Sequence, residues 1–170
     1  MGRRRATTIR ALLALLCLLA LLAAVMGREK SLEVVLGAIE VQPVDFPTLA
    51  LSPKPNQFLV CPPGYCRAKP HLLGPAFAAS VEELRQRWIK ILSAQPRIEA
   101  GAVDEGGMQY DFIQRTEWMR YPDSITVRFI PVTADSATLA IYSRSHYGGN
   151  DFGVNEARIR AWLDLLGRPA

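Results

Sequence analysis

The pattern of apolar and polar positions divides the chain into three parts. An uninterrupted apolar run extends from Ala11 to Met26. Residues 43 to 75 then hold eight of the twelve prolines. Because proline lacks a backbone donor and fixes φ, this second part is predicted to be extended and irregular. Its apolar side chains indicate that it wraps against a core. From residue 80 onward, helical and strand-like patterns follow one another.

Two segments have the spacing of amphipathic helices. The first begins at Ser80, and Glu83, three residues later, completes a capping box. Its apolar positions recur at helical spacing, and it is predicted to end before Pro96. The second helix is predicted to start near Asn155 and to end at Gly167.

Strand patterns fill the sequence between these helices. Residues 97 to 144 alternate between apolar and polar side chains, with predicted turns at 105–107, 121–123 and 133–137. Such short connections predict antiparallel pairing. The order predicts an α+β fold: an antiparallel sheet of about four to five strands with two helices packed on one face, after an N-terminal hydrophobic helix. Residues 28–49 are predicted to form a linker or a first strand, and residues 50–168 a single domain.

The N-terminal segment is predicted to be a signal peptide or a membrane anchor, spanning residues 1–27. As a helix, the apolar run of residues 11–26 covers about 24 Å. That length is short for a bilayer core of about 30 Å and slightly long for the apolar part of a signal peptide. The segment is either cleaved after Gly27 as a signal peptide or retained as a membrane anchor, and the sequence is compatible with both. In either case the preceding arginines hold the N-terminus in the cytoplasm, and the domain is exported.

Charge argues against a nucleic-acid partner. The formal net charge is +4, and the whole excess lies in Arg3, Arg4, Arg5 and Arg10. The remaining 16 basic and 16 acidic residues balance. A neutral domain lacks the basic patch that phosphate backbones require.

Cysteine usage agrees with export. Cys61 and Cys66 flank the turn-forming Pro62-Pro63-Gly64-Tyr65, so they are either a disulfide or two free thiols. Two cysteines and an adjacent histidine do not complete a zinc site. No metal and no cofactor is therefore predicted.

The segment between the last strand and the last helix is the candidate binding site. It combines hydroxyls, two arginines, a histidine and three glycines. Backbone amides at a helix start, with arginines beside them, suit an anion. The alternative is a structural loop, in which Asp151 caps or braces the turn and Arg144 pairs with Asp151 or Asp123. The candidate residues are Asp123, Ser143, Arg144, Ser145, His146, Asp151, Asn155 and Arg158.

The same residues carry a family resemblance. Tyr142-Ser143-Arg144-Ser145, Gly148, Asp151-Phe152-Gly153-Val154-Asn155 and Arg158-Ile159 resemble the closing signature of domain-of-unknown-function family 1499. Tyr121-Pro122-Asp123 and Pro53-Lys54-Pro55-Asn56 resemble two weaker blocks of that family, so that the resemblance covers roughly residues 50 to 166. Many members carry an arginine at the position of His146. The resemblance implies bacterial and plastid relatives, often with a signal or anchor, and no established chemistry.

Two classes of function remain. The first is a non-enzymatic envelope protein at the bacterial inner membrane, held there by residues 11–26, with its domain in the periplasm, or secreted to the periplasm if the segment is cleaved. It would bind a small anionic ligand or an envelope protein through residues 143–158. The second is a small hydrolase or transferase. Its acid and base would be Asp123 and Asp151, its proton carrier His146, and its charge stabilisers Arg144 or Arg158.

Overall fold

The structure is a computed structural model that describes residues 2–37, 39 and 41–167. The chain divides into two compact units, residues 1–40 and residues 41–170. Each unit is described by itself.

The first unit is helical. Helix α1 spans Gly2–Leu36, and Gly27 interrupts it with non-helical angles (φ 78°, ψ 161°) that glycine adopts at little cost. Residues 28–36 continue as helix, so the first strand suggested for residues 28–49 does not occur there. Among the described residues, no single helix is long and apolar enough to cross a bilayer. A bent pair, Leu12–Leu22 with Ala24–Leu36, meets the criteria of length and composition.

The second unit contains a six-stranded sheet in the order β2-β1-β6-β5-β4-β3. All neighbouring pairs are antiparallel except β1 with β2, which is parallel. The prediction of four to five antiparallel strands was therefore wrong in number and in one pairing. The strands are β1 (Gln57–Cys61), β2 (Leu72–Leu73), β3 (Ile98–Val103), β4 (Gln109–Arg115), β5 (Pro122–Thr133) and β6 (Ser136–Ser145).

The two extra strands come from the proline-rich segment. All five residues of β1 are buried, because one face of this strand meets the helices and the other meets the proline-rich chain. A strand that is covered on both faces shows no alternation of apolar and polar residues. Strand β2 has only two residues, which is too short to form a pattern.

Two helices cover one face of the sheet. Helix α2 spans Val81–Ser93 and helix α3 spans Val154–Leu166. The predicted capping box is present, since Ser80 accepts a hydrogen bond from the Glu83 amide while the Glu83 carboxylate accepts one from the Ser80 amide. The shared core includes Leu84, Trp88, Ile125, Val127, Phe129, Leu139, Ile141, Ile159, Trp162 and Leu166.

The proline-rich segment packs against the core, as predicted, and the face that it covers is the one opposite the helices. Val44 and Phe46 pack there against Leu59 and Tyr142. A disulfide joins Cys61 to Cys66, and both cysteines belong to this second core. The sheet is therefore the middle layer of the domain.

Two loops meet at one end of the sheet. The β4–β5 connection (116–121) lies beside the β6–α3 connection (146–153), because His146 donates its amide proton to the Pro122 carbonyl (3.2 Å). The rings of Tyr121 and Tyr147 are 6.0 Å apart. Pro122 already belongs to β5, so the turn predicted at 121–123 lies earlier in the chain.

The chain enters this domain at the other end of the sheet. Val44 accepts a hydrogen bond from the Gln109 side chain (2.9 Å) at the start of β4, whereas the two loops follow Arg115 at the end of β4. Six residues of strand separate these positions by about 20 Å. Residue 44 therefore lies far from the two loops.

Candidate functional site

A buried ion pair lies at the centre of the predicted site. Arg158 on α3 donates from Nη2 to Asp123 Oδ2 on β5 at 2.5 Å. The two side chains are only 9% and 5% exposed. Charges that are both buried and paired are not available to bind an anion from solvent. Arg158 thus belongs to the framework of the domain.

Asn155 joins this pair to the loop. It is fully buried in the first turn of α3. Its Oδ1 accepts hydrogen bonds from Ser143 Oγ and from Arg158 Nη1, the latter at 3.1 Å. Its Nδ2 donates to Asp151 Oδ2 (2.8 Å) and to Ser145 Oγ (3.1 Å). One amide therefore satisfies polar groups from the last strand, the loop and the helix.

Asp151 braces the start of α3, as the structural alternative for this loop predicted. The N-cap position is Gly153, with left-handed angles (φ 78°, ψ 11°) and no side chain. Asp151 accepts instead from the Asn155 amide (2.9 Å) and the Gly153 amide (3.1 Å). Burial raises the pKa of Asp151, but hydrogen bonds from these amides and from the Asn155 side chain bring it below its ordinary value. The ionised carboxylate of Asp151 therefore stabilises the start of α3 and is not suited to act as a general acid.

Asn56 is a member of this network that was not among the predicted site residues. Its Nδ2 donates to the Gly148 carbonyl (3.1 Å), and its own carbonyl accepts from the Ser145 amide (3.0 Å). Asn56 thereby ties the glycine-rich loop to the proline-rich segment. The family-like block that precedes β1 was the sequence signal for this residue.

Arg144 lies on the other side of the sheet from Asp123. Its Cα pairs with Ser124 on β5, and its Nε lies 3.4 Å from the Ser124 hydroxyl. Its guanidinium stands 5.4 Å from the centre of the Tyr142 ring. Asp123 pairs with Ser145, the residue that follows Arg144 in β6. Because adjacent residues of a strand point to opposite faces, Arg144 points away from Asp123. The suggested pairing of Arg144 with Asp123 or Asp151 is therefore wrong.

An acidic group accompanies Arg144 on this face. Asp111 accepts a hydrogen bond from Thr126 (2.5 Å). Burial raises the pKa of Asp111, and the Thr126 hydrogen bond and the charge of Arg144 only partly oppose that rise. Burial likewise raises the pKa of Tyr142.

His146 is kept neutral by its surroundings. Its Nε2 is buried and has no hydrogen-bond partner. Burial lowers the pKa of His146, the charges of Arg144 and Arg115 lower it further, and Asp123 opposes them. A histidine whose protonated form is disfavoured by burial and by nearby positive charge is a poor proton acceptor.

These contacts do not assemble the acid–base site of the hydrolase hypothesis. Ser143 donates to Asn155 and not to His146. Asp123 is held by Arg158, and Asp151 is held by the helix start. In the part of the chain that the structure describes, no group of three or more His, Cys, Asp or Glu residues is placed to hold a metal.

The two loops expose large apolar side chains. Phe152, at the tip of the β6–α3 loop, is 92% exposed and adopts left-handed angles (φ 54°) that are unfavourable for a bulky residue. In the neighbouring loop, Trp118 is 77% and Met119 is 52% exposed. We call Trp118, Met119 and Phe152 the two-loop surface. The prediction missed it, because an apolar residue in a loop reveals its exposure only in three dimensions.

Fold and site together define an α+β domain whose polar network is internal and whose loop tips are apolar. Residues 50–166 match the model of a protein family of unknown function, DUF1499. The chain belongs to that family, as the resemblance in its sequence indicated. A search of curated proteins finds none that is similar.

Proposed function

We propose that this protein is a non-enzymatic partner-binding domain of the bacterial envelope. Residues 11–26 hold it at the inner membrane with the domain in the periplasm, or direct its secretion there if they are cleaved. Its partner is another envelope protein, which binds the two-loop surface at the tip of the 143–158 segment.

The exposure of Phe152 is the observation that carries the proposal. The polar side chains around it are engaged within the domain: Asp151 braces the helix start and Asn155 joins strand to helix. This framework holds a large aromatic side chain in solvent. Aromatic residues and methionine are the types enriched at protein interfaces, where a few such side chains supply most of the binding energy.

Two further features favour a protein partner over an anion or a lipid surface. The loop that carries Trp118 and Met119 contains one acidic residue, Glu117, and one basic residue, Arg120, so it has no excess charge to attract phosphate groups. The chain also enters the domain about 20 Å away, at the far end of β4, so the start of the domain does not cover the two-loop surface.

The disulfide supports location in the periplasm. Cys61 and Cys66 are bonded, and structural disulfides persist in oxidising compartments such as the periplasm.

Photocrosslinking in cells tests the proposal. A photoreactive phenylalanine analogue replaces Phe152 in the full-length chain, and a matched variant carries it at Val132. Val132 is 57% exposed, in the β5–β6 hairpin at the opposite end of the sheet. We expect a discrete adduct with one envelope protein from position 152 and none from 132. Equal labelling of both positions, or no adduct at 152, contradicts the proposal.

A second variant separates binding from folding. Phe152→Gly removes the aromatic side chain, and because glycine tolerates left-handed angles, the free energy of unfolding should stay equal or rise by up to about 1 kcal/mol. The analogue placed at Met119 should then lose its adduct in the Phe152→Gly background. If that adduct persists, Phe152 does not contribute to the interface.

A further inference from the structure

A groove of about 490 Å³ lies between helix α3 and the part of the sheet where β3 begins and β4 ends. We call it the end groove. It adjoins the two-loop surface along the chain, because its lining includes Glu117, next to Trp118, and Val154, two residues after Phe152. A protein that buries the two-loop surface therefore also lies against the mouth of the end groove.

The two walls of the end groove differ in chemistry. Helix α3 contributes apolar side chains, the buried Trp162 and the exposed Val154, Ala157 and Ala161. The sheet side contributes mainly polar ones: Gln95, Arg97, Gln114, Arg115 and Thr116. A site with an apolar wall and a few polar groups suits a ligand segment that has both characters.

The charged groups that line the end groove are three arginines and one glutamate: Arg97, Arg115, Arg158 and Glu117. Arg158 is paired with Asp123. Arg115 Nε lies 3.2 Å from Glu99 Oε1. Among the described residues, no carboxylate forms an ion pair with Arg97. Arg97 is consequently the arginine of this groove whose charge is left for a partner.

Arg97 is held in place at two points. Its carbonyl accepts a hydrogen bond from the Arg115 amide (3.1 Å), and its Nε donates to the Arg115 carbonyl (3.1 Å). Within the described chain, its two terminal nitrogens remain for an external acceptor. A carboxylate binds that edge of a guanidinium with two parallel hydrogen bonds. Because the side chain is already fixed, it loses little conformational freedom on binding.

The backbone of Arg97 is also unusual. Of the residues that the structure describes, the non-glycine ones with left-handed φ are Arg97 (59°), Arg120 (58°) and Phe152 (54°). Arg97 lines the end groove, and the other two lie in the two loops beside it. This conformation costs energy and clusters at binding and catalytic sites. Its occurrence in all three segments supports a single binding surface at this end of the domain.

We propose that the partner of the two-loop surface places an acidic side chain in the end groove, where Arg97 binds its carboxylate. An apolar neighbour of that acid packs on the α3 wall. The inference rests on the proposed function, because it assigns the chemistry of the same partner. Glu117 repels a negative charge in the groove, so the acid binds at Arg97, the cation that is not already paired. The partner segment thus combines apolar residues with one aspartate or glutamate.

Charge substitutions in the full-length chain test this inference in cells. The readout is the yield of the adduct from the photoreactive analogue at position 152, after an irradiation short enough to crosslink only a small fraction of the chain. Arg97→Glu should lower the yield about tenfold. Arg97→Lys keeps the charge but not the two parallel donors, and should lower it less. Arg87→Glu makes the same change at an exposed arginine of α2 outside the groove and should leave the yield unchanged.

Glu117→Gln separates binding from folding. It removes the repelling carboxylate and should raise the yield about twofold, which a misfolded variant cannot do. Mass spectrometry of the crosslinked partner segment should identify an aspartate or glutamate. Changing that residue to its amide should lower the yield with the unsubstituted chain and lower it no further with Arg97→Gln, as expected for two groups that bind each other.

The inference is overturned if Arg97→Glu leaves the yield unchanged or if Arg87→Glu lowers it equally. It is also overturned if Glu117→Gln fails to raise the yield or if the partner segment holds no acidic residue. In these cases the adduct at position 152 is still formed, so the proposed function stands. Absence of that adduct in the chain without charge substitutions contradicts the proposed function itself, and this inference with it.

Discussion

Arg158 and Asp123, 35 residues apart in sequence, form a buried ion pair that joins helix α3 to the start of strand β5. The same guanidinium donates to Asn155 Oδ1 and approaches the Ser143 hydroxyl. Arg158, one of the two arginines that suggested an anion site, is therefore among the residues that hold the loop. The proposed function accordingly rests on the exposed apolar side chains that this network supports.

Removal of Arg158 should destabilise the domain strongly. Arg158→Leu leaves the Asp123 carboxylate buried without its partner, which costs about 3–5 kcal/mol of unfolding free energy. Arg160→Leu, on the same helix, breaks the exposed pair with Glu156 and the contact of the guanidinium with the Phe58 ring, and should cost less, at most about 2 kcal/mol. Urea unfolding of both variants checks the difference. Similar midpoints would show that the buried pair contributes no more than the exposed one.

Loss of the Asn155 amide should also be costly. Asn155→Ala removes the acceptor of the buried Ser143 hydroxyl and the side-chain hydrogen bonds to Asp151 and Ser145, at about 1–3 kcal/mol for a buried group left unsatisfied. Asn150→Ala removes only an exposed hydrogen bond to the Phe152 amide and should cost less than about 1 kcal/mol. Thermal unfolding compares the two substitutions. If Asn150→Ala proves as harmful as Asn155→Ala, the central place of Asn155 in the network is wrong.

His146 should make stability depend on pH near neutrality. Its pKa is lowered in the folded state by burial and by the two arginines, so below about pH 6.5 the unfolded chain takes up a proton before the folded one. The free energy of unfolding should consequently fall as the pH falls from 7.5 to 5.5. His146→Gln should show a smaller decrease over the same range. Parallel curves for the two proteins would contradict this assignment.

The Cys61–Cys66 bond should stabilise the proline-rich segment, which packs on the face of the sheet opposite the helices. Closing so short a loop contributes about 2 kcal/mol in the chain-entropy model, so Cys66→Ala should lower the free energy of unfolding by about that amount. In the denatured full-length chain, maleimide should add one label, at Cys17, before reduction and three after it; a chain cleaved after Gly27 should add none before reduction and two after it. Intact mass measures the labels. Labelling of Cys61 and Cys66 without reductant would mean that these thiols are free.

The segments with local signals were predicted closely. Ser80 and Glu83 lie three residues apart and cap the same helix turn, so the start of α2 is a property of a few neighbouring residues. The β3–β4 hairpin follows from alternation on both sides of a glycine turn. Strand β1 gave no such signal, because its alternation disappears when both faces are buried.

The candidate site likewise has a part that local sequence predicts and a part that depends on tertiary contacts. The sequence located the segment, since glycines, hydroxyls and charges cluster between the last strand and the last helix. It did not separate Arg158, which is buried against Asp123, from Arg144, which lies on the other face of the sheet. It also left out Asn56, whose hydrogen bonds to the loop cross about ninety positions of the chain.

Sequence alone determined the order of elements from α2 to α3, the capping box of α2, the disulfide candidates and the family, because each depends on neighbouring residues or on a linear signature. Only the tertiary structure decided which polar groups satisfy one another and which apolar side chains remain in water. Burial and pairing depend on which distant segments meet, and the strand register brings Asp123 beside Ser145 and beneath Arg158. The exposure of Phe152 also depends on the tertiary structure, because the polar groups beside it form hydrogen bonds within the domain and hold the loop in place.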